Sequence, residues 1–109
     1  MNEQLKFDRQ DKDTSHVLLR VHGDVTIQTS PRLREQLKPL LNANIKEVCV
    51  DLEHVDFMDS SGIATLVEGL QWARLTGGHF ILSSLSENVR DVFELAKLDT
   101  VFEIETDAA

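Results

Sequence analysis

Asp59-Ser60-Ser61-Gly62 sets one carboxylate, two hydroxyls and a glycine in consecutive positions. These residues follow Val55-Asp56-Phe57-Met58, and from Gly62 onward apolar residues recur with helical spacing. A helix start presents backbone N–H groups that lack intrahelical partners, together with the positive end of the helix dipole. Three roles are open to polar side chains at such a junction. A serine hydroxyl there can carry a phosphoryl group or meet an anionic partner. With a base beside it, the same hydroxyl becomes a nucleophile. Alternatively, Asp59, Ser60 and Ser61 simply cap the helix, as these residue types commonly do.

The nucleophile role has little else to draw on. The G-x-S-x-G pattern of hydrolase nucleophiles is absent around Ser60. His16, His22, His54 and His79 fall on four different segments, so a base would have to be brought in by the fold. The same histidines show no metal-ligand spacing with Cys49 or the carboxylates, and no metal or other cofactor is expected. No phosphate loop of the G-x-x-x-x-G-K type is present, which argues against intrinsic nucleotide hydrolysis. No residue is assigned a catalytic role, and the protein is not expected to be an enzyme.

The elements that position the junction are legible from periodicity. Residues 4–8 alternate polar and apolar, residues 11–15 read as a turn, and His16–Val21 puts Val17, Leu19 and Val21 on one face. This predicts an antiparallel hairpin, broken at Gly23-Asp24 by a connector running through Ile27. Thr29-Ser30-Pro31 reads as a helix start, with a hydroxyl cap and an early proline. Leu33, Leu37, Leu40 and Leu41 form its apolar stripe, Pro39 is expected to bend or shorten it near Glu35, and Asn42-Ala43-Asn44 closes it. Lys46–Leu52 is a short β-branched run suited to a central strand covered on both faces, joined to the junction by Glu53-His54.

In the second helix Ile63, Leu66, Val67, Leu70 and Ala73 make an amphipathic stripe. Gly69 is expected to allow close approach of a neighbour, and Gly77-Gly78 ends the helix. His79–Ser83 is a buried strand, Ser86 caps a third helix with Val89, Val92, Phe93 and Ala96 inward, and Val101–Ile104 closes the sheet before a polar tail. Strands alternating with helices imply parallel neighbours joined by right-handed crossovers. The expected fold is α/β: one small domain over residues 1–109, core about 4–104, with a mixed sheet, an N-terminal hairpin and helices mainly on one face.

Trp72 lies just off the second helix's stripe, either as a half-buried edge residue or as an aromatic anchor in a partner interface. That helix, with Ser60 at its start and Asp24, Thr26 and the Asp56 loop at its border, is the expected contact surface.

Composition narrows the partners. With 109 residues the chain suits one core. A formal net charge of −8 disfavours nucleic acid and anionic lipid, both of which need a basic face. Cys49 has no second cysteine to pair with and sits in an apolar run. No apolar run approaches the roughly 18 residues of a membrane span, and Met1–Gln4 is not a basic leader, so a cytoplasmic location without membrane insertion is expected.

The sequence resembles the anti-sigma-factor antagonists of the STAS domain family across nearly its whole length. The resemblance is carried by Gly23-Asp24, Leu33–Leu40, Gly77-Gly78, Val92-Phe93-Glu94-Leu95 with Leu98 and Phe102, and above all Phe57-Met58-Asp59-Ser60-Ser61-Gly62. It implies that Ser60 is phosphorylated by a partner that is both anti-sigma factor and serine kinase, with Ser61 the second candidate. It implies binding in the unphosphorylated state, release on phosphorylation, and reversal by a metal-dependent serine phosphatase. Together with the contact surface read from the second helix, the expected partner-binding residues are Asp24, Thr26, Asp56, Asp59, Ser61 and Gly62, with Trp72 further along the helix. Two positions depart from the family pattern: Thr26 stands where many members carry an acid, and Ala64 where a glycine is common. Similar domains serve transporters, so the alternative is an accessory subunit of a lipid-transporting ABC complex, in which Ser60 is a contact and not a switch.

Overall fold

The computed structural model describes residues 4–42 and 44–105. Met1–Glu3, Ala43 and residues 106–109, which include most of the polar tail, lie outside the described residues. The elements run β1 (Lys6–Asp13), β2 (His16–His22), α1 (Ser30–Leu40), β3 (Glu47–His54), α2 (Ser60–Thr76), β4 (His79–Ser83), α3 (Glu87–Leu95) and β5 (Glu103–Glu105). They build one sheet in the order β1-β2-β3-β4-β5. The β1–β2 pair is antiparallel, and every later pair is parallel. The mixed α/β architecture is the expected one.

Period-two patterning decides the layers. Val17, Leu19 and Val21 of β2, Val48, Val50 and Leu52 of β3, and Phe80 and Leu82 of β4 point to one side. There they join Leu33 and Leu37 of α1, Leu66 and Ala73 of α2, and Val89 and Phe93 of α3 in a single core. On the other side Leu18, Cys49 and Ile81, aligned across three strands, form a separate small cluster that no buried helical side chain joins. The helices thus cover one face. β3 is the central strand and is buried on both faces, as expected, with Val48, Val50 and Leu52 on the helix side and Cys49 and Asp51 on the other, where Arg20 holds Asp51 at 3.3 Å.

Several boundaries moved. β1 extends to Asp13 because its backbone pairs with β2 even where its side chains are all polar, and the turn shrinks to Thr14-Ser15. Glu53 and His54 belong to β3, since His54 pairs with His22. β5 begins at Glu103, two residues later than the expected Val101, which is exposed, while Phe102 enters the core. Pro39 neither shortens α1 at Glu35 nor ends it there. It sits in the last turn, where one lost backbone bond matters least, and Asn42 caps its carbonyl at 2.8 Å. Thr29 is the α1 N-cap residue, but its side chain makes no cap bond. Its hydroxyl donates instead to the Asp24 carbonyl at 2.8 Å and accepts the Thr26 N–H at 2.8 Å, folding the connector into a tight loop.

The buried face of α2 is rotated from the predicted stripe. Gly62, Thr65, Leu66, Gly69 and Ala73 are buried, while Ile63, Val67 and Leu70 are half-buried at its margin. Small residues face inward because the helix lies close to its neighbours. A Cβ at Gly69 would stand 2.8 Å from the Phe80 ring, and one at Gly62 would stand 2.6 Å from Met58 and 2.7 Å from Val25. In α3, Val89 and Phe93 are buried as expected, whereas Ala96 is exposed.

Candidate functional site

Two chain segments meet where α2 starts. Val25 bridges Met58 in parallel, with the Val25 N–H donating to the Phe57 carbonyl at 2.9 Å and the Asp59 N–H to the Val25 carbonyl at 3.0 Å. Val25 and Met58 turn into the core, so the residues beside them face outward. α3 braces the same region from the other side. The Ser86 hydroxyl donates to the Val55 carbonyl and the Asn88 amide to the Asp56 carbonyl at 3.2 Å. The local sequence marks Ser86 as a cap, but its long-range bond to Val55 has no sequence signal.

Asp59 is the N-cap of α2 and the hub of this region. One carboxylate oxygen accepts the Ser61 N–H at 2.9 Å, the Gly62 N–H at 3.3 Å and the Ser61 hydroxyl at 2.5 Å. The other accepts the Ile27 N–H at 3.0 Å, across 32 positions of sequence. The Ser61 hydroxyl, followed by the amides of Ser61, Gly62 and Ile27, holds the carboxyl below the usual carboxylate range. Asp59 is therefore an anion already seated on the helix terminus, and a clamp between α2 and the connector.

This arrangement separates the two serines. Ser61 is half-buried with its hydroxyl given to Asp59. Ser60 is exposed, and among the described residues its hydroxyl has no hydrogen-bond partner. Asp59 already takes the Ser61 and Gly62 amides of the first turn, so a group carried on the Ser60 oxygen would meet those two donors occupied.

The other expected contact residues divide. Asp24 and Asp56 are exposed at the rim, and neither has an ion-pair partner among the described residues. Thr26 is half-buried in the connector, with its hydroxyl accepting the Gln28 N–H at 3.2 Å. Gly62 is buried against Val25 and Met58 and offers no surface; its place is structural. Trp72 is twelve residues further along α2, about 18 Å up the axis. It packs half-buried against the core, under the Arg34 guanidinium 5.5 Å away. The structure does not bring it to Ser60.

Among the described residues no histidine hydrogen-bonds Ser60 either. Each histidine has a carboxylate neighbour: His16 with Asp13 at 2.9 Å, His22 with Asp8 at 3.1 Å, His79 with Glu103 at 3.7 Å and His54 with Glu53 at 4.0 Å. His22 and His54 stack on one another, with ring centres 4.8 Å apart. Among the described residues no group of three or more potential ligands is placed to hold a metal ion. No helix among them is long and apolar enough to cross a membrane.

Residues 9–109 match the STAS domain family. The chain belongs to that family. It is 27% identical over 103 residues to the anti-sigma-B factor antagonist of Listeria monocytogenes, covering 92% of this chain and 88% of that protein. Its fold is similar to that of an anti-sigma factor antagonist from Mycobacterium paratuberculosis, with a TM-score of 0.86, 19% identity, and coverage of 99% of this chain and 91% of that one. It is also similar to the anti-sigma factor antagonist SpoIIAA, in its unphosphorylated form (TM-score 0.78, 21% identity, 94% and 90% covered) and its phosphorylated form from Bacillus (0.72, 20%, 94% and 93%). Within this STAS chain, Phe57–Gly62 occupies the strand-to-helix junction on which both segments converge.

Proposed function

We propose that this STAS protein is an anti-sigma-factor antagonist that works by partner switching, with Ser60 as its phosphoacceptor. The observation that carries the reading is the contrast at the start of α2: Ser61 is bonded to Asp59, while Ser60 is exposed with a hydroxyl free among the described residues. The kinship to the Listeria monocytogenes anti-sigma-B factor antagonist supports it.

The unphosphorylated protein binds an anti-sigma factor that is also a serine kinase. In transfer, the Ser60 oxygen attacks the γ-phosphorus of ATP as the bond to the β-phosphate oxygen breaks, and the hydroxyl proton passes to a base of the kinase. The protein is the substrate, and no residue of its own is catalytic. Phosphoserine carries about −1.5 to −2 charge at neutral pH. With the helix terminus already neutralised by Asp59, and with Asp24 and Asp56 at the rim, that charge faces the partner. Like-charge repulsion and the cost of desolvating a dianion then release the kinase while the fold persists. A serine phosphatase restores the binding form.

Mass spectrometry after incubation with the cognate kinase and ATP is expected to find phosphate on Ser60 and none on Ser61. In a pull-down, Ser60→Ala is expected to retain the kinase and Ser60→Asp to lose it. Equal retention of both variants would sink the reading.

A further inference from the structure

Two exposed apolar side chains stand on the two segments that Asp59 clamps together. Ile27 is 75% exposed and Phe57 is 52% exposed. Single exposed apolar residues are ordinary. These two differ in how they are held. The Ile27 N–H is bonded to Asp59, the Phe57 carbonyl to Val25, and Val25 bridges Met58, so both backbones are fixed relative to Ser60. Among the described residues the large apolar side chains exposed elsewhere are Leu75 and Leu95, at the C-terminal ends of α2 and α3, and Val101, in the turn before β5. Apolar groups presented on a fixed backbone lose little entropy on binding, which is the property of interface hot spots.

We propose that Ile27 and Phe57 are the apolar anchors of the kinase interface, seated in apolar recesses of the kinase that are rimmed by lysine or arginine. This rests on the reading of Ser60 as the phosphoacceptor. Charge complementarity supplies the rim: Asp24 precedes Ile27 by three residues, Asp56 directly precedes Phe57, and neither acid has a cation partner among the described residues. The same acids oppose docking of this edge on nucleic acid or an anionic bilayer. The anchors also set the strength of the switch. By bringing apolar partner surface over the start of α2 they lower the local dielectric, so a charge on Ser60 costs more than it would in water. Their contribution is to affinity and to the sensitivity of release, and not to phosphoryl transfer itself.

The test measures kinase affinity for Ile27→Ala, Phe57→Ala, the double variant and a Leu95→Ala control, each alone and combined with Ser60→Asp, and phosphorylation kinetics for the variants that keep Ser60. Because the truncated side chains are exposed, thermal melts are expected to match wild type. Each anchor variant is expected to weaken binding by at least about tenfold, and Leu95→Ala by less than about twofold. The KM for phosphorylation of Ser60 should rise with kcat unchanged. The loss caused by Ser60→Asp should be smaller in the double-anchor background than in wild type, which a loss of folding would not produce. Binding within about twofold of wild type for the double variant, while Ser60→Asp still abolishes binding, would overturn the anchors and leave the switch standing. Wild type that is neither bound nor phosphorylated on Ser60 would overturn both.

Discussion

Helix α2 begins in a polar clamp and ends beside an apolar groove, and the two ends solve different problems. At its start, Asp59 ties four donors from α2 and the connector to a single carboxylate and leaves one hydroxyl uncommitted. At its far end, Leu41, Trp72 and Leu75 line a shallow groove with Lys38 and Thr76. Arg34 lies across the Trp72 ring and bonds Glu68 at 3.1 Å. The first end is defined by short directional bonds, the second by contact area and long flexible side chains. On the proposed reading, a surface that senses a single phosphate needs the first kind of order, because a hydroxyl whose position wandered would spread the effect of that phosphate over many arrangements. The groove needs no such order to stabilise the fold.

The largest expected effect breaks the symmetry between the ends directly. Ser60→Asp should lower kinase affinity on the order of 100-fold or more while leaving the melting temperature close to wild type. Trp72→Ala should do the reverse. It should cost about 2 kcal/mol of stability, less than truncation of a fully buried aromatic, with kinase affinity unchanged by titration calorimetry. A Trp72→Ala variant that stayed folded yet lost the kinase would join the two ends into one interface.

The glycines at the two ends extend the contrast. Gly62 is small because Val25 and Met58 leave no room for a Cβ, whereas Gly77 has open space around it but a φ of 77°, which ends the helix in the left-handed region. Gly62→Ala should therefore cost about 2 kcal/mol by overpacking, despite alanine's better helix propensity. Gly77→Asn should be nearly neutral in the same denaturant titration, since asparagine tolerates that conformation.

Much of the fold is legible in the sequence, and what is not has distinct physical causes. Period-two and period-3.6 patterns reported the layers correctly, because the core face of each strand is set by burial. The apolar stripe of α2 differs from its buried face because glycine and threonine at 62, 65 and 69 carry no apolar signal, yet are the residues close packing requires. Pro39 costs α1 less than its sequence position suggests, because the cost depends on how many turns follow it, and here almost none do. At the junction, residue types alone left Ser60 and Ser61 equivalent. Only the resemblance favoured one of them, and the bond from Ser61 to Asp59 supplies a physical distinction. Ile27 reads only as connector in the sequence, since its tie to Asp59 spans 32 positions.

Asp59 offers a smaller effect with a pH signature. Asp59→Asn removes part of the cap and should cost about 1 kcal/mol near neutral pH. The wild-type carboxyl is held below its ordinary range in the folded protein, chiefly by the Ser61 hydroxyl. Its contribution is thus complete above the unfolded-state pKa and fades as pH falls through the folded-state value. The stability gap between wild type and Asp59→Asn should be constant over roughly pH 5 to 7 and close on further acidification. A gap that narrowed near neutrality would place the titrating group elsewhere.

The smallest effect belongs to the groove end. Arg34 and Glu68 are each about half exposed, so their ion pair is screened by water and costs side-chain entropy to hold. A double-mutant cycle with Arg34→Ala and Glu68→Ala should give a coupling of about 0.5 kcal/mol that falls further in added salt. Arg34→Ala alone should cost more than that coupling, because the guanidinium also covers the Trp72 face. A comparable cycle between Ser61→Ala and Asp59→Ala at the other end should return a larger, less salt-sensitive value, since that bond is short, half-buried and charge-assisted. If the two cycles agreed, directional order would not distinguish the ends of α2, and the free hydroxyl of Ser60 would lose its structural explanation.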